Sequence, residues 1–247
     1  MNARVVIIGG TDSSGGAGLS RDAATLASLG VQGLPVVTAV TAQTNNAVCQ
    51  IEHVCAELVK AQLECALQSG QCDAIKIGML GRHETVSAVA EVLRQHAKVP
   101  IVLDPIIVSS SGTRLLEVQA EEDLKHHLIP LCEVVTPNLL ESAMLTGVPI
   151  GDCHTTLEKQ AFHFRAMGAA NVLIKGGHSS GREATDCLFD AWGDHIEFTQ
   201  TRLDGTMRGT GCMLASAIAG QLAQGVNLKV AAGIAQQMVG RAIMQMQ

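Results

Sequence analysis

The run Gly209-Thr210-Gly211-Cys212, leading straight into the apolar segment MLASAIAG, carries the densest chemistry in this chain. Small residues let successive backbone N–H groups point one way, and the positive end of a helix dipole adds to them, so main chain alone can hold an anion there. The same run also reads as a glycine-rich loop capping a core helix. A thiol at a helix N-terminus has a lowered pKa and can take a proton from a substrate hydroxyl, which makes Cys212 a candidate base. Cysteine is equally among the most buried residue types, and a structural Cys212 fits as well.

Three further strand ends carry polar residues of matching type. Asn138 and Glu141, following Thr136-Pro137, lie three residues apart on one helix face. There they can hold hydrated Mg²⁺ beside phosphates, or simply cap the helix. Asp104, in Leu103-Asp104-Pro105, is placed to reach the same metal or to cap a loop. Lys175, in Lys175-Gly176-Gly177-His178, offers a cation where phosphates would sit, or a solvated turn. Near the N-terminus, the loop from Gly10 to Gly18 precedes a helix whose first turn contains Asp22. The loop lacks Gly-Lys-Ser/Thr and does not fit GxGxxG, which excludes P-loop and Rossmann assignments and leaves a tight loop whose backbone approaches a ligand. Gln43 presents one acceptor and two donors on a planar amide, complementary to an aminopyrimidine edge, though a loop Gln is commonly just solvated.

Such residues have to be held at the carboxyl ends of strands, where ligands bind in α/β sheets. Compact β-branched runs at 4–8, 34–40, 73–77, 101–104, 133–136 and 171–175 alternate with helical periods at 19–29, 56–67, 84–96, 121–128, 139–145 and 157–167. This is the pattern of βα units in a three-layer α/β fold with a mostly parallel central sheet covered on both faces. Residues 187–200 flank Gly193-Asp194 as a two-residue turn and predict an antiparallel edge hairpin, after which 211–222 and 230–244 close the fold as helices. No linker or repeat interrupts the 247 residues, which predicts a single domain over 1–247.

Composition narrows the function classes. A 47% hydrophobic share, 16% charged residues and 2% aromatics predict a soluble protein with an aliphatic core. A net charge of −6 without any basic stripe argues against nucleic acid as a partner. The apolar run before Gly9 is too short for a signal peptide or a membrane span, so a cytoplasmic protein without membrane contact is expected. Eight scattered cysteines read as reduced thiols, and a zinc site on Cys49, His53 and Cys55 lacks a fourth ligand nearby.

Taken together, GGTDSSGGAGLSRD, TAVTAQ, DAIKIGML, VLDPIIVSSSG, TPNLLESAMLTG, VLIKGGH and GTGC stand in the order of a known family. The chain resembles, from Val5 to about Val239, the ribokinase-like hydroxymethylpyrimidine and phosphomethylpyrimidine kinases of thiamine biosynthesis. The resemblance implies ATP and Mg²⁺ as cofactors and an aminopyrimidine alcohol as substrate, phosphorylated once and then again to the diphosphate, in a homodimer. It implies that Gln43 reads the pyrimidine, with Gly10, Asp22, Met79 and Val108 around it. Cys212 would be the base, Gly209, Thr210 and Gly211 the anion hole, Lys175 and Asn138 phosphate-side contacts, and Glu141 with Asp104 the metal ligands.

Three places depart from that family's pattern. The approach to GTGC reads Gly205-Thr206-Met207-Arg208 instead of an Asn-Thr-His-like run, and Arg208 is read as a compensating phosphate contact on the nucleotide side. The segment Leu19-Ser20-Arg21-Asp22 replaces Ile-Gln-Ala-Asp, and the chain ends at Gln247 ahead of a Gly/His-rich tail. A pyridoxal or pyridoxine kinase is the nearest competing reading, since that ring also bears a hydroxymethyl group. A sugar kinase would carry Asp at position 212. A non-catalytic pyrimidine-binding regulator is the competing reading from another class, disfavoured by the intact phosphate and metal residues.

Overall fold

The computed structural model describes residues 2–96, 98–177, 183–202 and 207–245. Nine strands form one sheet in the order β3-β2-β1-β4-β5-β6-β7-β8-β9. They are β1 (Arg4–Gly10), β2 (Gln32–Gln43), β3 (Val48–His53), β4 (Ala74–Ile77), β5 (Ile101–Leu103), β6 (Val134–Val135), β7 (Val172–Ile174), β8 (Glu183–Phe189) and β9 (His195–Thr201). Pairing is parallel from β2 through β1, β4, β5 and β6 to β7, and antiparallel at both edges. The chain leaves β1 toward β2 and returns on its other side as β4. The crevice at β1 and β4 is therefore the switch point where such sheets bind ligands.

The helices are α1 (Gly18–Ser28), α2 (Ala56–Gln68), α3 (His83–Leu93), α4 (Val118–Asp123), α5 (Leu139–Thr146), α6 (His154–Ala166), α7 (Thr210–Ala223) and α8 (Leu228–Met244). Two aliphatic cores hold the layers together. One packs Val59, Leu63, Val89, Leu93 and Phe164 from α2, α3 and α6 on one sheet face. The other packs Leu26, Ile218, Ala231 and Ala235 from α1, α7 and α8 on the opposite face. With no Tyr and four Phe in the chain, alanine fills the close helix contacts of the second core.

Several expected boundaries move, each for a physical reason. The sequence pattern omits β3, whose residues VCQIEH are exposed or half-buried at the sheet edge and show no apolar run. Strand β2 extends to residues 32–43 and tolerates Pro35 because β3 pairs with it only from Ala39 onward. The helix expected at 121–128 starts at Val118 and changes pitch into a π-turn over Leu124–Leu128. The edge hairpin is present, but its loop spans residues 190–194 rather than two. There the Asp190 carboxylate accepts the Trp192 and Asp194 amides, closing a wider turn than Gly193-Asp194 alone would give. No helix among the described residues is long and apolar enough to cross a membrane, and all eight cysteines are free.

Candidate active site

A cleft of about 830 Å³ opens across the carboxyl ends of β1, β4, β5, β6 and β7, and every site residue singled out from the sequence lines it. Helix α7 starts at its floor. Gly209 is the N-cap with φ +73°, and no side chain caps the first turn, so the amides of Thr210, Gly211 and Cys212 are left to the cleft. Gly211 brings the Lys175 ammonium and the Asp104 carboxylate close to the start of α7. A Cβ there would lie 3.2 Å from Lys175 Nζ and 3.5 Å from Asp104 Oδ2.

Lys175 and Asp104 form one partly buried pair, Nζ donating to Oδ1 at 2.6 Å. Thr136 Oγ1 stands 3.4 Å from the same carboxylate oxygen. An isolated parallel bridge joins Asn138 to Lys175 and sets the two side by side. Asn138 and Glu141 make a complete capping box on α5, Asn138 Oδ1 accepting from the Glu141 amide at 2.9 Å and Glu141 Oε2 from the Asn138 amide at 2.8 Å. The helix-cap reading of this pair therefore holds, and it also fixes Glu141 at the cleft wall. Burial pushes the Glu141 carboxyl up to about 7, assisted by Asp104 and opposed by Lys175. His178, next to the Lys175 loop, and Gly205 and Thr206, before Arg208, lie outside the described residues.

At the opposite end of the cleft, Gln43 Nε2 donates to Thr41 Oγ1 at 2.6 Å and its Oε1 accepts from Arg208 Nη2 at 2.9 Å. Those partners allow only one orientation of the amide and leave one N–H and one oxygen lone pair for a ligand. Arg208 also donates to the Thr44 carbonyl at 2.6 Å and to Ser14 Oγ at 3.1 Å, with Asp12 Oδ2 at 3.4 Å. In this structure the Arg208 guanidinium pins the loops at Asp12–Ser14 and Gln43–Thr44. Two adjacent loops offer four acceptors in reach of its planar fork.

The family model for phosphomethylpyrimidine kinase matches residues 12–247. The chain belongs to that family. It is 44% identical over 233 residues to the hydroxymethylpyrimidine/phosphomethylpyrimidine kinase of Rhizobium meliloti (strain 1021), covering 92% of this chain and 85% of that one. The structure of phosphomethylpyrimidine kinase from Clostridium difficile 630 superposes with a TM-score of 0.84 at 33% identity, covering 98% and 100% of the two chains. That of pyridoxal kinase from Staphylococcus aureus in complex with pyridoxal reaches 0.89 at 29% identity, covering 99% and 88%. The backbone is thus common to both kinases, and side chains have to decide the substrate. The expected fold, a ribokinase-like three-layer α/β kinase, is the one observed.

Two features of this phosphomethylpyrimidine kinase family member escape a reading of motifs. Lys76, the single charged residue in the otherwise apolar strand β4, is 1% exposed and donates to Asp22 Oδ2 at 2.8 Å. Ser216 on α7 donates to the other Asp22 oxygen at 2.8 Å. Burial raises the Asp22 pKa against the pull of Lys76. On Lys76 burial acts downward, but Asp22, Cys212 and Asp104 outweigh it and raise the pKa, so the ammonium stays charged. A lone Lys in a β4 core run was the available signal. The second feature concerns Cys212, whose thiol burial pushes up to about 11 even though Lys76 draws it down. The lowered thiol pKa expected from the helix N-terminus is corrected: desolvation of a fully covered sulfur exceeds the dipole.

The donor set fits a hard divalent cation. Four carboxylates, Asp22, Asp104, Glu141 and Asp186, line the cleft with two ammonium and two guanidinium groups, and burial leaves Glu141 to titrate at about 7. Asp104 and Glu141 are the residues that would hold Mg²⁺.

Proposed function

We propose that this kinase transfers the γ-phosphoryl group of Mg·ATP to the hydroxymethyl group of 4-amino-5-hydroxymethyl-2-methylpyrimidine, and then to the resulting monophosphate to give the diphosphate used in thiamine biosynthesis. The observation that carries the reading is the Gln43 amide, held by Thr41 and Arg208 in one orientation, at the same cleft as Cys212 and the uncapped start of α7. An aminopyrimidine supplies an amino donor and a ring-nitrogen acceptor side by side, the complement of the N–H and lone pair that Gln43 has left. Gly10, Met79 and Val108 supply the apolar wall beside it, with Asp22 held by Lys76 at its base.

In this reading Cys212 Sγ takes the hydroxyl proton as the phosphoryl group arrives, and the amides of Thr210, Gly211 and Cys212 receive the charge on its oxygens. The thiol titrates near 11, so at neutral pH it is the minor thiolate form that takes this proton, late in a loose transition state where little basicity is required. The Lys76 ammonium favours that thiolate before transfer, and Lys175 with Asn138 contacts the nucleotide phosphates. Mg²⁺, when bound, neutralises charge on the transferring group. Exposed Val40 next to the edge strand β3 supports a homodimer through that edge, and eight free thiols support a reducing, cytoplasmic setting.

The test is a coupled assay with Mg·ATP and three acceptors, the pyrimidine alcohol, its monophosphate and pyridoxal, with Cys212→Ala as control. Turnover of both pyrimidines and a loss of at least about 10²-fold in kcat for Cys212→Ala is the expected result. Turnover of pyridoxal alone would overturn the substrate and leave the phosphoryl-transfer site standing. The likeness to the pyridoxal-bound Staphylococcus aureus structure is the observation favouring that second reading.

A further inference from the structure

Away from the cleft, on the outer side of the edge hairpin, His154, His195 and Glu197 offer three ligand atoms that all lie within 4.8 Å of one another. Among the described residues, no other group of three His, Cys, Asp or Glu side chains converges in this way. We propose that these three residues form a binding site for one divalent transition-metal ion of the zinc class.

The backbone explains why they meet. His195 and Glu197 are two apart on β9 and so project from the same face of the strand. His154 is the first residue of α6, which packs over β7 and β8 and delivers its imidazole across the hairpin. Phe189 on β8 is 2% exposed and pairs directly with His195 in the ladder. It is the apolar floor for both imidazoles, with ring centroids 5.7 Å from His195 and 6.4 Å from His154. The two imidazoles stand 4.4 Å apart, centroid to centroid. Glu158, one turn along α6, lies 3.1 Å from His154 Nε2. A carboxylate on one ring nitrogen is the partner that fixes the tautomer of a metal-bound histidine and leaves the other nitrogen as the ligand.

The donor types choose the ion. Two neutral imidazoles and one carboxylate suit zinc and its neighbours, whereas Mg²⁺ and Ca²⁺ take oxygen sets. Tetrahedral zinc at its usual bond lengths sets donors about 3.4 Å apart, so exposed side chains already within 4.8 Å close the site by rotation alone. A cavity of about 270 Å³ adjoins the cluster, bounded by Asp152, Glu197 and His154 on one side and by Gly176 and Thr185 on the other. It leaves room for water at an open coordination position. The ion would tie α6 to the β8–β9 hairpin, whose opposite end, at Ala184 and Gln200, lines the active cleft.

The experiment is a competition titration of Zn²⁺ against a chromophoric chelator, on untagged, chelator-stripped protein in excess Mg²⁺. Excess Mg²⁺ occupies the oxygen ligands of the cleft and leaves imidazole sites to zinc. One equivalent is expected to bind, with affinity reduced at least tenfold in His195→Ala and again in Glu197→Gln. Cys153→Ser, next to His154 and exposed, is expected to bind as the parent does, and Co²⁺ to show no thiolate charge-transfer band. All three side chains are exposed, so the metal-free variants keep the parent melting temperature. Parent-like affinity in both His195→Ala and Glu197→Gln, or loss of binding in Cys153→Ser, would overturn the site.

Discussion

Replacing Lys76 by Met tests whether the buried pair under the cleft is ionic. Lys76 Nζ and Asp22 Oδ2 are 2.8 Å apart, with side-chain exposures of 1% and 0%. Met fills nearly the same volume without a charge, so the change is electrostatic and leaves no cavity. It strands Asp22 with only the Ser216 hydroxyl, and breaking a buried pair this way costs about 3–5 kcal/mol. For a domain of this size that is a melting-temperature drop of roughly 6–20 °C. Removing both charges in Lys76→Met/Asp22→Asn should recover at least about 2 kcal/mol of the loss, because no unpaired charge remains. The assay is urea unfolding at pH 7, with the slope of each transition compared to confirm that only stability changes. The pH dependence has a definite sign. In the single variant the Asp22 pKa rises further above its ordinary 3.8, so the folded state binds the extra proton and the gap to the parent widens as pH increases from about 4. A cost below about 1 kcal/mol for Lys76→Met, or a double variant as unstable as the sum of the two singles, would refute the ion pair.

Glu141 is raised from 4.5 to about 7, so its contribution to stability is fully present below about pH 4.5 and is lost as pH rises to about 7. Apparent Mg²⁺ affinity should rise over that same window, and Glu141→Gln should abolish both dependences in parallel stability and Mg²⁺ titrations. Arg208→Met should raise KM for the pyrimidine alcohol about tenfold or more, by freeing the Gln43 amide to rotate, while kcat falls less. Arg208→Lys should recover little of it, because a single ammonium cannot replace the fork, and steady-state kinetics with both acceptors will show the split. Gly209→Ala would force a Cβ into the Gly16 carbonyl at φ +73°. A loss of at least about 1–2 kcal/mol in thermal or urea unfolding is expected.

Much of the fold was legible because its signals are local. Apolar runs at β1, β4, β5 and β7 are buried on both faces, and the helices between them keep a clear 3.6-residue period. The edge resisted for the same reason. Strand β3 has solvent on much of its surface, so VCQIEH has no hydrophobic requirement to announce it. The π-turn at Leu124–Leu128 is a change of pitch within a segment that remains amphipathic, and composition does not record pitch.

Of the site, the sequence by itself determined which residues could do chemistry, since GTGC, TPNLLE, LDP and KGG place small, acidic and basic side chains just past strand ends. Only the tertiary structure decided their charge states and partners. Lys76 and Asp22 are 54 residues apart and meet solely because β4 lies beside β1 under α1. Arg208 and Gln43, 165 residues apart, meet because α7 begins beside the β1–α1 loop. The Cys212 thiol goes up, and the Glu141 carboxyl with it, because desolvation is set by everything packed around a group, which neighbours in sequence do not specify.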